Sequence, residues 1–265
     1  MTEPAGIQTV VLCGGKGTRL REYTEAIPKV LVEVGARPIL WHILKSYAAH
    51  GFTDFVLALG YLGDRIKEYF IEQEGWRGRG VWLRLGSGEP PELLENGGDG
   101  WSITLADTGL DTNTGGRVKR LRRHLRDGVF FATYGDGVAD LDLRHLLEFH
   151  RTHGQVATVT VVRPRLTFGL LEVTDDNRVT SFREKPQLDG WINGGFFVFD
   201  GRIFDYLEDD SVLEREPMER LAADGQLMAY RHDGFWACMD TYKDQADLNA
   251  AWASGQPPWR TWEER

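Results

Sequence analysis

The stretch that decides the fold reads Thr9-Val10-Val11-Leu12-Cys13-Gly14-Gly15-Lys16-Gly17-Thr18-Arg19-Leu20. Its first four residues form an apolar run, which predicts a buried strand. The strand leads directly into three glycines, whose bare backbone can hold oxyanions close to its N–H groups. Lys16 and Arg19, together with Lys29 in the following segment, add positive charge for a ligand that carries several negative charges. The stretch therefore predicts a binding site for a nucleoside triphosphate.

Two other phosphate-binding loops do not fit these residues. A Walker loop ends in Lys followed by Ser or Thr, whereas Gly17 follows Lys16. A dinucleotide-binding loop needs a glycine at or near Arg19 and an acidic residue at the end of a later strand. A glycine-rich turn with solvated charges remains the plain structural alternative, because short glycine motifs recur by accident.

The composition limits the classes of molecule that this chain is expected to bind. Forty acidic against 31 basic residues give the 265-residue chain a formal charge of −9, which disfavours nucleic acid or an anionic membrane as the main partner. No apolar run approaches the ~18 to 20 residues of a membrane span, and the first residues lack the basic start and apolar stretch of a secretory signal. The two cysteines, Cys13 and Cys238, are too few for a disulfide framework. We expect a cytoplasmic protein that acts on small molecules.

Hydrophobic periodicity predicts strands that alternate with helices. Helical spacing begins near Pro38, Asp64, Thr114 and Asp142, with Asp64 as a helix cap. Apolar runs predict strands at 9–12, 55–59, 129–133, 156–162, 192–199 and 227–230, weaker strands at 81–85 and 102–105, and a hairpin of 170–173 with 179–182. This order predicts an α/β fold that is Rossmann-like and doubly wound, with a mostly parallel mixed sheet, helices on both faces and a C-terminal helical subregion.

Four groups of polar residues follow predicted strands. They are the glycine loop, Asp136, the run Glu184-Lys185-Pro186, and Asp240. In open α/β sheets ligands bind beyond the carboxyl ends of the strands, so these loops can converge on one site. Asp136 and Asp240 are ligands of the hardness that Mg²⁺ prefers. Taken singly, each aspartate is as readily a turn residue or a cap.

The longer motifs resemble those of the sugar-1-phosphate nucleotidyltransferases. The similarity runs from residue 8 to 262, nearly the whole chain, and its matching segments lie at 14–20, 28–29, 37–43, 115–117, 134–140, 168–169, 184–186, 193–197 and 239–241. Residues 134–140, with 235–236 and 239–241, are similar to the branch of glucose-1-phosphate cytidylyltransferases. This resemblance implies that a cytidylyl group passes from CTP to α-D-glucose 1-phosphate, giving CDP-glucose and pyrophosphate. Ile27 departs from the pattern, because the cytidylyltransferases carry a lysine there, and the identities of base and sugar are therefore left open.

The resemblance also implies roles for individual residues. The nucleotide would be bound by Leu12, Gly14, Gly15, Gly17, Thr18, Arg19, Lys29, Thr112, Arg117 and Gly135. The sugar phosphate would be bound by Tyr134, Gly169, Glu184, Lys185, Asn193 and Gly194. Arg19, Lys29 and Lys185 would be the catalytic cations, and Asp136 and Asp240 would hold Mg²⁺. The same resemblance implies a homo-oligomer, a trimer or a hexamer, and one domain over residues 1–265, with a nucleotide- and sugar-binding core at 1–200 and a C-terminal subregion at 201–265 that carries the second metal aspartate.

The chemistry implied here needs cations more than a base. A phosphate monoester has a second pKa near ~6, so the attacking sugar phosphate is largely a dianion at neutral pH. The obstacle is to bring two polyanions together in line, which makes positioning and charge neutralisation the main contributions. Two alternatives remain: the same reaction with another nucleotide or an unusual sugar phosphate, and a nucleotide-sensing homologue without activity. The presence of Arg19, Lys29, Asp136, Lys185 and Asp240 favours an enzyme.

Overall fold

A seven-stranded sheet forms the centre of the computed structural model, which describes residues 6–17, 20, 26–74, 81–82, 92–93, 100–166 and 168–262. The strands are β1 (Gln8–Leu12), β2 (Glu33–Val34), β3 (Arg37–Pro38), β4 (Asp54–Leu59), β5 (Val81–Trp82), β6 (Glu92–Leu93), β7 (Ser102–Asp107), β8 (Phe130–Tyr134), β9 (Gly137–Ala139), β10 (Ala157–Val162), β11 (Leu170–Val173), β12 (Val179–Arg183), β13 (Ile192–Phe199), β14 (Leu227–Arg231) and β15 (Trp236–Cys238). The helices are α1 (Ile39–Ala49), α2 (Gly63–Glu68), α3 (Thr114–Arg120), α4 (Leu143–His153), α5 (Glu216–Ala223) and α6 (Tyr242–Ala253).

The order of the central sheet is β14-β10-β13-β8-β1-β4-β7. Strand β13 runs antiparallel to both of its neighbours, whereas the other pairs in this sheet are parallel. The mostly parallel mixed sheet that the sequence predicts is therefore confirmed. Because β13 is reversed, its first residues lie at the same edge as the carboxyl ends of β1 and β8.

Two apolar clusters cover the two faces of this sheet. Alternate residues of β1 enter different clusters, with Val11 packed on one side and Val10 on the other. The first cluster contains residues of α1 and α4, such as Leu44 and Leu146. The second contains residues of α3 and α5, such as Val118 and Leu221. The predicted layers of helix, sheet and helix follow from this alternation.

The ends of the helices agree with the sequence in most places. The carboxylate of Asp142 caps α4 as expected, because its Oδ1 accepts from the backbone N–H of Arg144 at 2.9 Å. The prediction that Asp64 caps a helix is wrong. Leu62, in the left-handed region with φ of 52°, is the cap, and α2 begins at Gly63. Asp64 therefore lies in the first turn, where it pairs with Lys67.

Two short antiparallel pairs extend beyond the main sheet. Strands β11 and β12 form the predicted hairpin, and β9 pairs with β15. The predicted weak strand at 81–85 is described only for β5, since 83–85 lie outside the described residues, and the strand near 102 extends to Asp107. Over the described ranges, the structure contains no helix with the length and apolar character of a membrane span.

Candidate active site

A cleft of about 600 Å³ opens at the carboxyl ends of β1 and β8. Six segments line it, namely the glycine loop after β1, the residues 29–30, the turn that precedes α3 with the first residues of that helix, the residues 133–137 at the end of β8, the first residues of β13, and the residues 236–240. The predicted site residues among its lining are Leu12, Gly14, Gly15, Gly17, Lys29, Thr112, Arg117, Tyr134, Gly135, Asp136, Asn193, Gly194 and Asp240. The fold thus brings together most of the residues that the sequence singles out.

Lys29 forms the centre of the acidic side of this cleft. Its Nζ lies 2.6 Å from Oδ2 of Asp136 and 2.6 Å from Oδ1 of Asp240. Burial opposes the positive charge of Lys29, but the two carboxylates outweigh it and raise the pKa of the ammonium. The lysine therefore stays charged, and its ammonium group pairs with both carboxylates.

The pairing of β9 with β15 brings the two aspartates together. Gly137 lies opposite Cys238 in this pair, and the backbone N–H of Met239 donates to the carbonyl of Asp136 at 2.8 Å. Asp136 directly precedes β9, and Asp240 follows β15 after one residue. Two aspartates that are far apart in the chain are thus fixed side by side by backbone hydrogen bonds.

The same residues offer ligands for a divalent cation. Asp136, Cys238 and Asp240 each present one ligand atom, and these atoms lie within 4.8 Å of one another. Burial and the neighbouring carboxylates raise the pKa of the Cys238 thiol, so that it keeps its proton at neutral pH. The two carboxylates fit a hard cation, which would complete its coordination with water and phosphate oxygens.

Arg117 connects the glycine loop to the rest of the sheet edge. Its guanidinium donates to the carbonyls of Leu59, Gly109, Leu110 and Gly14 and to the hydroxyl of Thr108, at 2.7 to 3.2 Å. Burial and the neighbouring Arg120 lower the pKa of Arg117. The guanidinium lies where side chains at Gly14 and Gly60 would be, since a Cβ there would meet it at 2.3 and 2.4 Å. The structure shows Arg117 as a support of the glycine loop, and direct contact with a nucleotide stays a prediction.

The wall of the cleft that is predicted to bind the sugar is built on Tyr134 and β13. The ring of Tyr134 packs edge-on against Phe197, with centroids 5.6 Å apart, and lies over Gly195, whose φ is +80°. A Cβ at Gly195 would lie 2.5 Å from this ring, so only glycine fits. The amide of Asn193 donates to the phenol oxygen at 3.2 Å, and Trp236 donates to the carbonyl of Gly194 at 2.7 Å. These contacts fix a polar wall of the cleft.

Other predicted residues lie outside this lining. Gly169, Glu184 and Lys185 lie on or beside the β11–β12 hairpin, where Lys185 is exposed with φ of +45° and lies 3.9 Å from Glu184. Their contact with a sugar phosphate stays a prediction. Thr18 and Arg19 fall outside the described residues. Ile27, where a lysine was expected from the resemblance, is 42% exposed.

A family model described as "Nucleotidyl transferase" matches residues 8–250. The chain belongs to the nucleotidyl transferase family. Members of this family generally use a divalent metal ion and act on small molecules. The matched range includes both Asp136 and Asp240, so the second aspartate is part of the family domain.

Curated relatives of this nucleotidyltransferase match it over almost its full length. A probable glucose-1-phosphate cytidylyltransferase of Bacillus subtilis is 45% identical, over 97% of this chain and 100% of the relative. The glucose-1-phosphate cytidylyltransferase of Salmonella typhi is 44% identical over the same shares. A mannose-1-phosphate guanyltransferase of Xenopus laevis is 28% identical, over 90% of this chain and 62% of the relative.

Solved structures share the fold of this nucleotidyltransferase. HddC from Yersinia pseudotuberculosis has a TM-score of 0.68 at 22% identity, over 93% of this chain and 99% of that one. A putative glucose-1-phosphate thymidylyltransferase from Bacillus anthracis has a TM-score of 0.65 at 18% identity, over 92% and 94%. At these identities the likeness supports the fold alone.

The sequence missed three parts of the nucleotidyltransferase site. Glu214, which accepts from the hydroxyl of Tyr134 at 2.5 Å, belongs to no motif, and only long-range contact reveals it. Gly60 follows a predicted strand, a position that could have drawn attention to it. Cys238 lies two residues before Asp240 and was considered only for disulfide bonding, although it lines the cleft.

Proposed function

We propose that this chain transfers a cytidylyl group from CTP to α-D-glucose 1-phosphate, forming CDP-glucose and releasing pyrophosphate. The observation that carries the proposal is the position of Lys29 between Asp136 and Asp240, in a cleft that the glycine loop also lines. The identity of 44 to 45% with glucose-1-phosphate cytidylyltransferases over nearly the full chain supports the choice of base and sugar.

In the proposed reaction, an oxygen of the sugar phosphate attacks the α-phosphorus of CTP. A new phosphorus–oxygen bond forms there while the bond from the α-phosphorus to the bridging oxygen of the β-phosphate breaks, and pyrophosphate leaves with that electron pair. No general base is needed, because the sugar phosphate is already a dianion at neutral pH. The residues of the cleft therefore act by holding two anionic groups in line and offsetting their charges.

Each cation of the site has a proposed position. Lys29 would contact the phosphates at the reacting centre, Lys185 the sugar phosphate, and Arg19 the departing pyrophosphate. Asp136 and Asp240 would hold Mg²⁺, which when bound neutralises phosphate charge and orients the phosphate oxygens. Glu184, Asn193 and Gly194 would contact hydroxyl groups of the sugar.

The assembly and location are proposed as well. We place the enzyme in the cytoplasm as a homo-oligomer, a trimer or a hexamer. The described part of the β11–β12 hairpin exposes large apolar side chains, including Leu171, Val179 and Phe182, and such surfaces mark contacts with other chains. Light scattering after size-exclusion chromatography would measure the mass, and a monomer would contradict the assembly.

The function is tested with a panel of substrates. The protein is incubated with Mg²⁺, glucose 1-phosphate and each of CTP, UTP, dTTP, ATP and GTP, and pyrophosphate release is measured. We expect release to be fastest with CTP. Asp136→Asn serves as the inactive control. Turnover with another nucleotide and none with CTP would reject the specificity, and nucleotide binding with no release for any sugar phosphate would favour a sensor.

A further inference from the structure

A segment of residues 208–214, just before α5, packs against the beginning of α3. Its backbone approaches so closely that Gly115 and Gly116 have no room for side chains, since Cβ atoms there would lie 2.8 and 2.4 Å from the carbonyl oxygens of Ser211 and Asp209. The N–H of Gly116 donates to Ser211 at 3.0 Å. The 208–214 segment is therefore held in a fixed place beside the cleft.

Glu214 ends this segment and joins the two walls of the cleft. One carboxylate oxygen accepts from the hydroxyl of Tyr134 at 2.5 Å. The other accepts from the hydroxyl of Thr114 at 2.7 Å, and that hydroxyl in turn accepts from the N–H of Leu213 at 2.9 Å. Tyr134 lies on the wall that is predicted to bind the sugar, whereas Thr114 opens the helix that carries Arg117 and supports the glycine loop. A single carboxylate thus contacts both halves of the site.

The hydrogen bonds around Tyr134 determine the acceptor to which its hydroxyl donates. An ionised carboxylate only accepts, so the phenol must donate its proton to Glu214. Burial and the charge of Glu214 raise the pKa of Tyr134, so the phenol keeps that proton. The carbonyl oxygen of Asn193 accepts from Gly195 at 2.8 Å, which turns its amide nitrogen toward the phenol oxygen. The remaining acceptor capacity of Tyr134 is then available to a donor in the cleft.

We propose that Glu214 is a positioning residue that holds Tyr134 as a hydrogen-bond acceptor for a hydroxyl group of the sugar. The proposal rests on the proposed function, because it requires a sugar phosphate in this cleft. It adds a specificity determinant: the site reads a hydroxyl donor at one ring position and rejects a sugar that lacks it. A sugar that lacks this hydroxyl forgoes the hydrogen bond to the half-buried phenol oxygen of Tyr134 and binds more weakly.

The test compares Glu214→Gln with the wild type. Glutamine keeps the shape and can still accept from Thr114, but its amide would donate to the oxygen of Tyr134 and free the phenol proton to turn into the cleft. We expect KM for glucose 1-phosphate to rise about tenfold, while kcat and KM for CTP change by less than about threefold. Glu208→Gln, an exposed glutamate of the same segment that pairs with Lys119, is the matched control.

Two further measurements separate positioning from a merely structural role. Among monodeoxy analogues of glucose 1-phosphate, the wild type should reject one isomer most strongly, and Glu214→Gln should lose that discrimination. Tyr134→Phe should raise KM similarly, and the double variant should be no worse than Tyr134→Phe alone. If Glu214→Gln does not fold, the proposal is still tested by Tyr134→Phe and by the analogue panel.

The outcomes are distinct. Wild-type turnover with an unchanged KM in both Glu214→Gln and Tyr134→Phe would overturn the role of Glu214 and leave the function standing. An equal fall in kcat for every analogue, accompanied by a lower melting temperature, would also overturn it, because that pattern indicates a structural contact only. A wild type without turnover on any sugar phosphate would overturn the function and this inference together.

Discussion

Asp136 and Asp240 share one cation, since an oxygen of each lies 2.6 Å from the Nζ of Lys29. The arrangement lets one cluster bind either an ammonium or a divalent ion between two carboxylates. Because both cations would be held by the same two carboxylates, the binding of a metal and the position of Lys29 are coupled.

Removing Lys29 should strengthen metal binding while it abolishes turnover. In Lys29→Met the two carboxylates repel each other without a counter-charge, so a divalent ion gains affinity, by about tenfold or more. Mn²⁺ titration followed by electron paramagnetic resonance measures this without substrate. Lys16→Met, which removes an exposed lysine paired with Asp111, is the control. Weaker Mn²⁺ binding in Lys29→Met would contradict the coupling.

Neutralising either aspartate should remove metal-dependent turnover. In Asp136→Asn or Asp240→Asn the site keeps its shape but loses one charged oxygen ligand, so we expect kcat to fall by at least about 100-fold. Circular dichroism should show an intact fold. Asp175→Asn, in the turn of the β11–β12 hairpin, makes the same charge change outside the cleft. Wild-type rates in both site variants would remove these residues from the metal site.

Arg117→Lys should destabilise the protein and weaken nucleotide binding together. A lysine ammonium cannot replace a guanidinium that donates hydrogen bonds to five oxygen atoms. The carbonyls of Gly14 and Leu59 would be left without this donor. We expect unfolding to become easier by at least about 3 kcal/mol, measured by urea titration. Arg123→Lys, at an exposed position shortly after α3, should change stability little. Reduced CTP affinity at unchanged stability would instead indicate direct contact with the nucleotide.

Acid should destabilise this fold through buried histidines. Burial lowers the pKa of His42 and of His150 to about 4, whereas a histidine in an unfolded chain titrates near ~6.5. Between these two pH values the unfolded chain binds more protons than the folded chain does. The free energy of unfolding therefore keeps its full value above pH ~6.5 and falls toward pH ~4, by about 1.4 kcal/mol per pH unit for each histidine. Urea unfolding at several pH values measures the slope. His150→Gln should reduce it and the exposed His145→Gln should not; equal slopes would contradict the assignment.

Lys185→Ala tests whether the hairpin serves the sugar phosphate. If Lys185 pairs with that phosphate, its loss should raise KM for glucose 1-phosphate by about tenfold and leave KM for CTP unchanged. Arg178→Ala, in the turn of the same hairpin, controls for a general loss of charge. An unchanged KM would place Lys185 outside the binding site.

The sequence predicted the fold well where the signal is local. The apolar run before the glycine loop and the helical spacing after Pro38 each depend on neighbouring residues, and both elements occur close to their predicted positions. The strand 192–199 was also located correctly, but its direction was not predicted. Reversal of β13 places Asn193 at the same edge as Tyr134, and this depends on strand pairing that no local pattern records.

The site itself was predicted in part. The positions of the two aspartates after predicted strands, together with the resemblance, identified them, but their close approach depends on the pairing of Gly137 with Cys238, between segments far apart in the chain. Glu214 carries no motif and lies in an irregular segment, so nothing before the structure connected it with Tyr134. The cap of α2 was misplaced because the helix begins after the left-handed backbone of Leu62, two residues before the acidic side chain of Asp64.

The guanidinium of Arg117 fills the space where Gly14 and Gly60 would otherwise carry side chains. Mutagenesis that aims to widen the range of accepted nucleotides should therefore leave Gly60 unchanged together with the glycine loop, although the residues around Gly60 match no recognised motif. Even alanine at position 60 would displace the guanidinium of Arg117, which supports the glycine loop. Broader substrate choice is better sought at Thr112 itself, which lines the cleft, because its neighbours Asn113 and Thr114 bind Asp210 and Glu214 and so support the cleft.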